Sequence, residues 1–135
     1  CFYTALLSDT RYFTTGNVDE ETFAFAVELL ACGADHQRVA FNMTQRRSLA
    51  SLRILAKILD TLTLHCDATV ASMWADQEMI TSTGARMSDM DGIVDYARSL
   101  ATVEIGILLV EEISQIRVSL RSKKRDISPI AEYFG

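Results

Sequence analysis

Cysteine is scarce in this sequence and offers no metal-binding pattern. The three cysteines, Cys1, Cys32 and Cys66, are odd in number, lie far apart and form no Cys-x-x-Cys pair. Such spacing argues against a disulfide framework and against a cysteine metal site, because both use closely patterned cysteines. We therefore expect reduced thiols that are packed inside the protein.

Long apolar runs and an excess of positive charge are also missing. No apolar run is as long as a membrane-spanning helix, and no secretory signal pattern opens the sequence, so we expect a cytoplasmic protein with no membrane partner. The formal net charge of -5 argues against binding nucleic acid by bulk electrostatic attraction, which normally needs a basic protein. Any contact with phosphate groups must therefore come from a local cluster of residues.

A cluster of this kind lies near the end of the sequence. Residues 116–122 alternate between apolar side chains on one face and polar side chains, which include Ser119 and Arg121, on the other. This alternation predicts a half-buried strand. Further on, Ser128 and Pro129 have the residue types of a helix N-cap and of a first helical position. Because Arg and the free N–H groups of a helix start both bind anions, the pattern is consistent with an anion site.

The same cluster has a purely structural alternative. Runs of charged residues usually face water, so residues 116–122 would then be a solvated edge strand and residues 123–125 a basic turn. The cluster alone leaves both interpretations open.

The rest of the sequence predicts alternating helices and strands, and therefore an α/β fold. Helices are predicted over residues 17–31, 44–62, 76–84 and 92–100, and strands over residues 62–65, 68–74 and 103–110. The run 103–110 is almost continuously apolar, which is typical of a strand buried on both faces. Residues 111–114 are predicted to form the hairpin turn that follows this strand. Asp76 is predicted to cap the helix over 76–84, which ends near Gly84.

Particular residues are predicted to begin these helices and to face the core. Asn17 and Glu20 have the spacing of a capping box, and so do Ser88 and Asp91 before the helix over 92–100. For the helix over 44–62, the apolar stripe predicted to pack inward consists of Leu49, Leu52, Leu55, Ala56 and Leu59.

Two motifs at opposite ends of the sequence resemble the DHH phosphoesterase family. Residues 119–123, Ser-Leu-Arg-Ser-Lys, with Asp126 and residues 130–135, are similar to the end of the family's C-terminal associated domain, where a Phe-Gly pair opens a glycine run that ends in His. Residues 2–10, which end in Ser-Asp-Thr, are similar to the stretch that contains the family's Thr-Asp-Thr-Gly. The branch that the sequence resembles consists of small bacterial and archaeal oligoribonucleases that are also phosphatases of 3′-phosphoadenosine 5′-phosphate.

This resemblance implies roles for a small set of residues. Asp9 occupies the position of a ligand of the two catalytic Mn²⁺ ions, for which Mg²⁺ or Co²⁺ are alternatives, and carboxylate oxygen suits such hard cations. Ser119, Arg121 and Ser122 would hold the phosphate or the terminal nucleotide of the substrate. Arg11 stands where the family usually has Gly. It would strain the turn if a positive φ is needed there, and otherwise it could lie over the metal site and bind phosphate.

The resemblance also implies a division of the chain. Residues 1–43 would be the end of the catalytic domain, residues 44–61 a linker helix, and residues 62–135 most of the associated domain, a mixed sheet of four or five strands flanked by helices. The sequence would then be a fragment of a longer enzyme.

The function that the resemblance implies is metal-dependent hydrolysis of short oligonucleotides, as an exonuclease, or of a nucleotide bisphosphate. The fragment would be inactive alone, and a homodimer is one assembly to expect. A nucleotide-stacking aromatic near the Arg121 strand, which Tyr133 or Phe134 could supply, would favour nucleic substrates. Two alternatives stay open: a pyrophosphatase or polyphosphatase of the same family, and a catalytically silent member that binds nucleotide or partners, which Arg11 in place of Gly would favour.

Overall fold

The computed structural model describes residues 2–45, 47–124 and 126–134, and the chain is divided into two units, Cys1–Arg47 and Ser48–Gly135. Three residues of the sequence analysis lie outside the described residues: Cys1, one of the predicted thiols, Arg125 of the basic turn, and Gly135 at the end of the motif. Within the described ranges, no helix is both long and apolar enough to cross a bilayer.

The described part of the first unit is helical. Its helices are α1 (Phe2–Asp9), α2 (Glu20–Ala31) and α3 (His36–Thr44). Tyr3, Leu7 and Ala26 are buried between them and form a small core. The hydroxyl of Tyr3 is hydrogen-bonded to Nδ1 of His36 at 2.9 Å, and this bond connects α1 to the start of α3.

Helix α2 starts later than predicted because a different pair of residues caps it. Asp19 accepts hydrogen bonds from Oγ1 of Thr22 at 2.7 Å and from its backbone N at 2.9 Å. The hydroxyl bond first, and then the backbone bond, lower the pKa of the Asp19 carboxyl below its usual value. The predicted capping box of Asn17 with Glu20 is therefore wrong, and Glu20 is the first helical residue.

The second unit is an α/β fold around a mixed sheet, which confirms the predicted fold class. In chain order it contains α4 (Leu49–Asp60), β1 (Thr63–His65), β2 (Val70–Ala75), α5 (Gln77–Thr83), a 3₁₀ turn (Met87–Met90), α6 (Val94–Ser99), β3 (Ile105–Glu111), β4 (Ile116–Ser122) and α7 (Ser128–Phe134). The sheet order is β1-β2-β3-β4, with β2 and β3 parallel and the outer pairs antiparallel. A parallel pair needs a long connection, which α5 and α6 provide.

The predicted boundaries of α5 and the predicted turn between β3 and β4 are confirmed. Asp76 caps α5 by accepting a hydrogen bond from N of Met79 at 2.7 Å, and Gly84 ends this helix with a φ of 68°. The turn predicted between β3 and β4 is closed by a bond of 2.8 Å from N of Glu112 to O of Gln115. Both signals are local in sequence, which is why they could be read without the fold.

Helices cover one face of the sheet, and the core lies on that face. Alternate residues of β2 and β3 are buried there against α4 and α6. The other face is open, with Trp74 45% exposed, Leu109 36% and Val118 50%. The prediction that the run 103–110 is buried on both faces is therefore wrong, because every second residue of β3 points to the open face.

The helix predicted over residues 44–62 is shorter than predicted, and a different face of it is buried. Helix α4 begins only at Leu49, after the N-cap Ser48. Its fully buried residues are Ile54 and Ile58, which belong to the core under the sheet. Of the predicted stripe, the residues that are exposed are Leu49, Leu52 and Ala56, and those that pack at the edge of the core are Leu55 and Leu59. The helix predicted to be a linker thus packs into the second unit.

The predicted cap before α6 is also wrong. Among the described residues, no side chain caps α6, which begins at Val94. Ser88 belongs to the 3₁₀ turn. Asp91 forms an ion pair with Arg117 of β4, in which Oδ1 and Nη1 are 3.8 Å apart. Asp91 therefore connects this segment to the sheet and does not begin a helix.

The prediction that the cysteines are packed inside the protein is wrong for the two that the structure describes. Cys32 and Cys66 are free, but both are exposed. Cys32 follows the last residue of α2, and Cys66 lies in the turn between β1 and β2 with a φ of 50°. Both positions are where the backbone leaves a regular element, away from the two cores.

A left-handed turn follows α1 and contains the position where the DHH family usually has Gly. Arg11, Tyr12 and Phe13 have φ values of 44°, 60° and 62°. Thr10 holds the turn: its Oγ1 donates to O of Leu6 at 2.6 Å and accepts from N of Phe13 at 3.1 Å. Because positive φ favours glycine, Arg11 lies in a conformation that strains a residue with a Cβ atom.

We expect Arg11→Gly to raise the free energy of unfolding by about 0.5–1 kcal/mol, because glycine adopts a positive φ without the Cβ clash but also loses more chain entropy on folding. The measurement is urea unfolding followed by circular dichroism. Arg11→Ala is the matched control, since it removes the same side chain and keeps Cβ. A glycine variant no more stable than the alanine variant would show that this turn is not strained.

Helix α6 comes unusually close to β3 at Gly106. A Cβ atom on Gly106 would lie 3.0 Å from the backbone O of Val94 and 3.2 Å from the backbone N of Arg98. Both neighbours are backbone atoms of the helix, so they can give way only if α6 moves. The absence of a side chain at Gly106 is therefore a packing requirement.

Gly106→Ala is expected to lower the free energy of unfolding by about 1–3 kcal/mol, the usual cost of overpacking. Denaturation in urea measures it. The control is Gly16→Ala, where a Cβ atom meets nothing within 4 Å, so this change should be neutral or slightly stabilising. Equal stabilities of the two variants would contradict the close packing of α6.

Candidate functional site

Strand β4 is the last strand in the order of the described sheet, and its register places the predicted substrate residues. Arg121 pairs with Gly106 of β3, and Ser122 pairs with Ile105. Because side chains alternate along a strand, Ser119 and Arg121 lie on the helix-covered face and Ser122 lies on the open face. The three residues therefore approach the edge of β4 from two sides.

A groove of about 470 Å³ lies along this edge, and we call it the β4 groove. It is lined by Ser119, Arg121, Ser122, Asp126 and Ser128, together with apolar residues between them. The structure thus brings together all three predicted substrate residues. It adds Asp126 and Ser128, which come from the loop after β4 and from the first turn of α7.

Arg121 is the cation that lines the β4 groove. Its Nη1 donates to the backbone O of Leu120 at 2.9 Å, and in the part of the chain that the structure describes no carboxylate forms an ion pair with it. A guanidinium carries five N–H donors in a planar fork. Most of the donors of Arg121 are therefore available to a ligand.

The described lysines of the predicted basic turn are engaged elsewhere. Nζ of Lys123 donates to O of Leu100 at 2.6 Å, and Nζ of Lys124 is 3.6 Å from Oε1 of Glu104. These contacts hold the turn against the segment before β3. The positive charge that the groove presents comes from Arg121 and not from these two lysines.

The start of α7 differs from the prediction. Ser128 is the first helical residue and not the N-cap. Asp126 instead accepts a hydrogen bond from N of Ser128 at 2.9 Å. The backbone bond from Ser128, and then a bond from its hydroxyl, lower the pKa of the Asp126 carboxyl below its usual value. The sequence signal for this cap was an Asp two residues before the first helical position.

One of the two aromatic residues considered for nucleotide stacking, Tyr133, does not lie in the β4 groove. Tyr133 is 83% exposed and does not line the groove. The side chain of Phe134 lies outside what the structure describes. The described part of the groove therefore offers hydrogen-bonding groups and a charge, without an aromatic stacking partner.

Asp9, the predicted metal ligand, is the last residue of α1 and is exposed. The C-terminus of a helix carries a partial negative charge, so a carboxylate at this place increases the attraction for a cation. Across residues 2–45, 47–124 and 126–134, no group of three His, Cys, Asp or Glu side chains that could hold a metal ion is found. Asp9 suits the role of one ligand, but these residues alone do not fit a two-ion centre.

The predicted site residues are divided between the two units. Asp9 and Arg11 belong to the first unit, whereas Ser119, Arg121 and Ser122 belong to the second. Thr10, to which the sequence analysis gave no role, lies between Asp9 and Arg11 in the sequence and is buried. It fixes the turn that carries both residues. Its signal was a hydroxyl four residues after Leu6, where a helix-ending residue can bond back to the preceding turn.

Comparison with known proteins gives two informative similarities, while no protein-family model matches the chain. The chain is 24% identical over 133 residues to the bifunctional oligoribonuclease and PAP phosphatase NrnA of Bacillus subtilis (strain 168), and this match covers 98% of the chain and 42% of the relative. The structure superimposes on a crystal structure of an exopolyphosphatase-related protein from Bacteroides fragilis with a TM-score of 0.82 and 24% identity, over 88% of this chain and 35% of that one.

The chain thus spans less than half the length of each of these proteins. The structural match shows that the fold is shared, and the sequence match runs through both ends of the chain, where the two motifs lie. The sequence match confirms the resemblance to the DHH phosphoesterase family, in its oligoribonuclease and 3′-phosphoadenosine 5′-phosphate phosphatase branch.

Proposed function

We propose that this chain is part of a metal-dependent phosphoesterase that hydrolyses short oligonucleotides, 3′-phosphoadenosine 5′-phosphate or both. The observation that carries the proposal is the β4 groove, which Ser119, Arg121 and Ser122 line together. These are the residues that match the family's Ser-Φ-Arg-Ser strand. The activities named for the Bacillus subtilis relative are an oligoribonuclease and a PAP phosphatase, and we extend that class to this chain.

The β4 groove suits a phosphate group held at the protein surface. The planar fork of Arg121 matches two phosphate oxygens at once, and the hydroxyls of Ser119 and Ser122 add further hydrogen-bonding groups. Arginine does not lose its proton at neutral pH, so Arg121 does not exchange protons with the substrate. The task of these residues is therefore to position the substrate and not to transfer protons.

We propose further that Asp9 is one ligand of the Mn²⁺ ions of the complete enzyme, with Mg²⁺ or Co²⁺ as alternatives. A divalent cation of this kind lowers the pKa of water and stabilises negative charge at the reacting phosphate. The exposed carboxylate at the end of α1 supports the proposal. The other ligands would come from a part of a longer protein, which agrees with the 42% of the relative that the chain spans.

A second candidate is a pyrophosphatase or polyphosphatase of the same family. The observation in its favour is the similarity of the fold to the exopolyphosphatase-related protein of Bacteroides fragilis. A catalytically silent nucleotide-binding member is the third candidate, and the strained Arg11 at the usual Gly position favours it. The substrates tested below separate these candidates.

Kinetic variants of the longer protein that contains this chain test the two roles. Arg121→Ala should raise KM about ten- to hundred-fold, because a charge-assisted bidentate contact is worth about 1.5–3 kcal/mol. Arg121→Lys keeps the charge without the fork and should give an intermediate KM. Asp9→Ala should mainly reduce kcat. The measurement is hydrolysis of a short RNA, of 3′-phosphoadenosine 5′-phosphate and of polyphosphate. If the Arg121 variants mainly changed kcat and the Asp9 variant mainly changed KM, the two assignments would be reversed.

The 135-residue chain should show no hydrolysis of these substrates in the presence of Mn²⁺, because Asp9 alone cannot hold two ions. Mononucleotide release from a short RNA is the readout, with the longer protein as the positive control. Turnover by the chain that depends on Mn²⁺ and disappears in Asp9→Ala would show that the chain holds a complete centre.

A further inference from the structure

The β4 groove presents a negative charge as well as a positive one. Arg121 and Asp126 both line it. The carboxylate of Asp126 is fixed at the start of α7, where Oδ1 accepts the backbone N–H of Ser128 at 2.9 Å. A ligand that enters the groove therefore meets a guanidinium and a carboxylate within one open cavity.

The hydrogen bond from N of Ser128 does not by itself require the charge of Asp126. The side chains of asparagine and serine also accept a backbone N–H two residues further on, as aspartate does. A carboxylate has about four lone-pair sites, so the bonds from Ser128 leave acceptor capacity that faces the groove. These bonds also favour the ionised carboxylate, since they lower the pKa of Asp126.

We propose that Asp126 is a specificity-determining residue, which favours ligands that carry a phosphate next to a sugar over inorganic polyphosphate. The inference rests on the proposed role of the β4 groove in binding phosphate. A carboxylate accepts hydrogen bonds from sugar hydroxyls or base amino groups, and it repels a second phosphate close to the first. A nucleotide offers these donors, whereas a polyphosphate offers only more negative charge.

A single residue, Asp126, would then decide between the two hydrolase candidates. With Arg121 alone, the groove would bind the more highly charged ligand more tightly. With Asp126 in the same groove, each additional phosphate charge is disfavoured while each hydroxyl or amino group is favoured. The preference for a nucleotide thus follows from the pair of charges and not from the arginine.

The test compares adenosine 5′-monophosphate with inorganic tripolyphosphate as ligands of the 135-residue chain. Isothermal titration calorimetry in a metal-free buffer of fixed ionic strength gives both affinities. In Asp126→Asn, the amide oxygen still accepts the N–H of Ser128 and the charge is gone. The affinity for tripolyphosphate should rise about three-fold for each phosphate charge that lies within about 6 Å of the removed Asp126 charge, at the dielectric constant of water. The affinity for the nucleotide should stay the same or fall.

Asp126→Ser is a second variant that keeps a capping oxygen without a charge, and it should shift the ratio of the two affinities in the same direction. Circular dichroism of each variant verifies that α7 and the rest of the chain are folded. Equal changes for the two ligands, or no change for either, would overturn the inference.

Arg121→Ala distinguishes failure of the inference from failure of the proposed function. If it leaves both affinities unchanged, the β4 groove is not the phosphate site, and the inference falls with it. If Arg121→Ala weakens both ligands and Asp126→Asn leaves their ratio unchanged, the groove binds phosphate and Asp126 does not select between ligands.

Discussion

The close contact between α6 and β3 at Gly106 is the packing constraint on which the arrangement of the second unit depends. It allows the helix to lie directly on the backbone of the sheet, so Ala97 of the helix is fully buried against the sheet. Arg121 pairs with Gly106 on the neighbouring strand and lies on the same face. The helix covers β3 but leaves the Arg121 side chain exposed, so one face of the sheet provides both the apolar core and the cation of the groove.

The β4 groove combines this cation with a short loop that returns to the strand. The loop is held by the bond between Asp126 and Ser128, and the turn before it is held by Lys123 against the carbonyl of Leu100. A ligand therefore meets groups that are already positioned, which lowers the entropy that binding costs. This preorganisation agrees with the proposed role of the groove in positioning a substrate.

The sequence predicted the element types well because they depend on local signals. The Asp76 cap, Gly84 and the hairpin before β4 were all readable from neighbouring residues. It failed where several residues satisfied the same rule. In α4, leucines and isoleucines four residues apart define two possible stripes, and only the sheet decides that Ile54 and Ile58 pack inward. A run as apolar as that of β3 likewise does not reveal that one face of its sheet is open.

The site was predictable as a set of residues but not as a geometry. Ser119, Arg121 and Ser122 were found from the strand motif, yet Ser122 lies on the opposite face from the other two, and the groove forms only because it wraps around the strand edge. Asp126 was part of the motif without a role, because only the path of the loop places it in the same groove as Arg121. The sole tryptophan of the chain, Trp74, lies 45% exposed on the open face of the second unit. Its fluorescence therefore reports on that unit alone, while far-ultraviolet circular dichroism reports the helices of both, so a comparison of the two signals during unfolding reveals whether the units are one cooperative system or two.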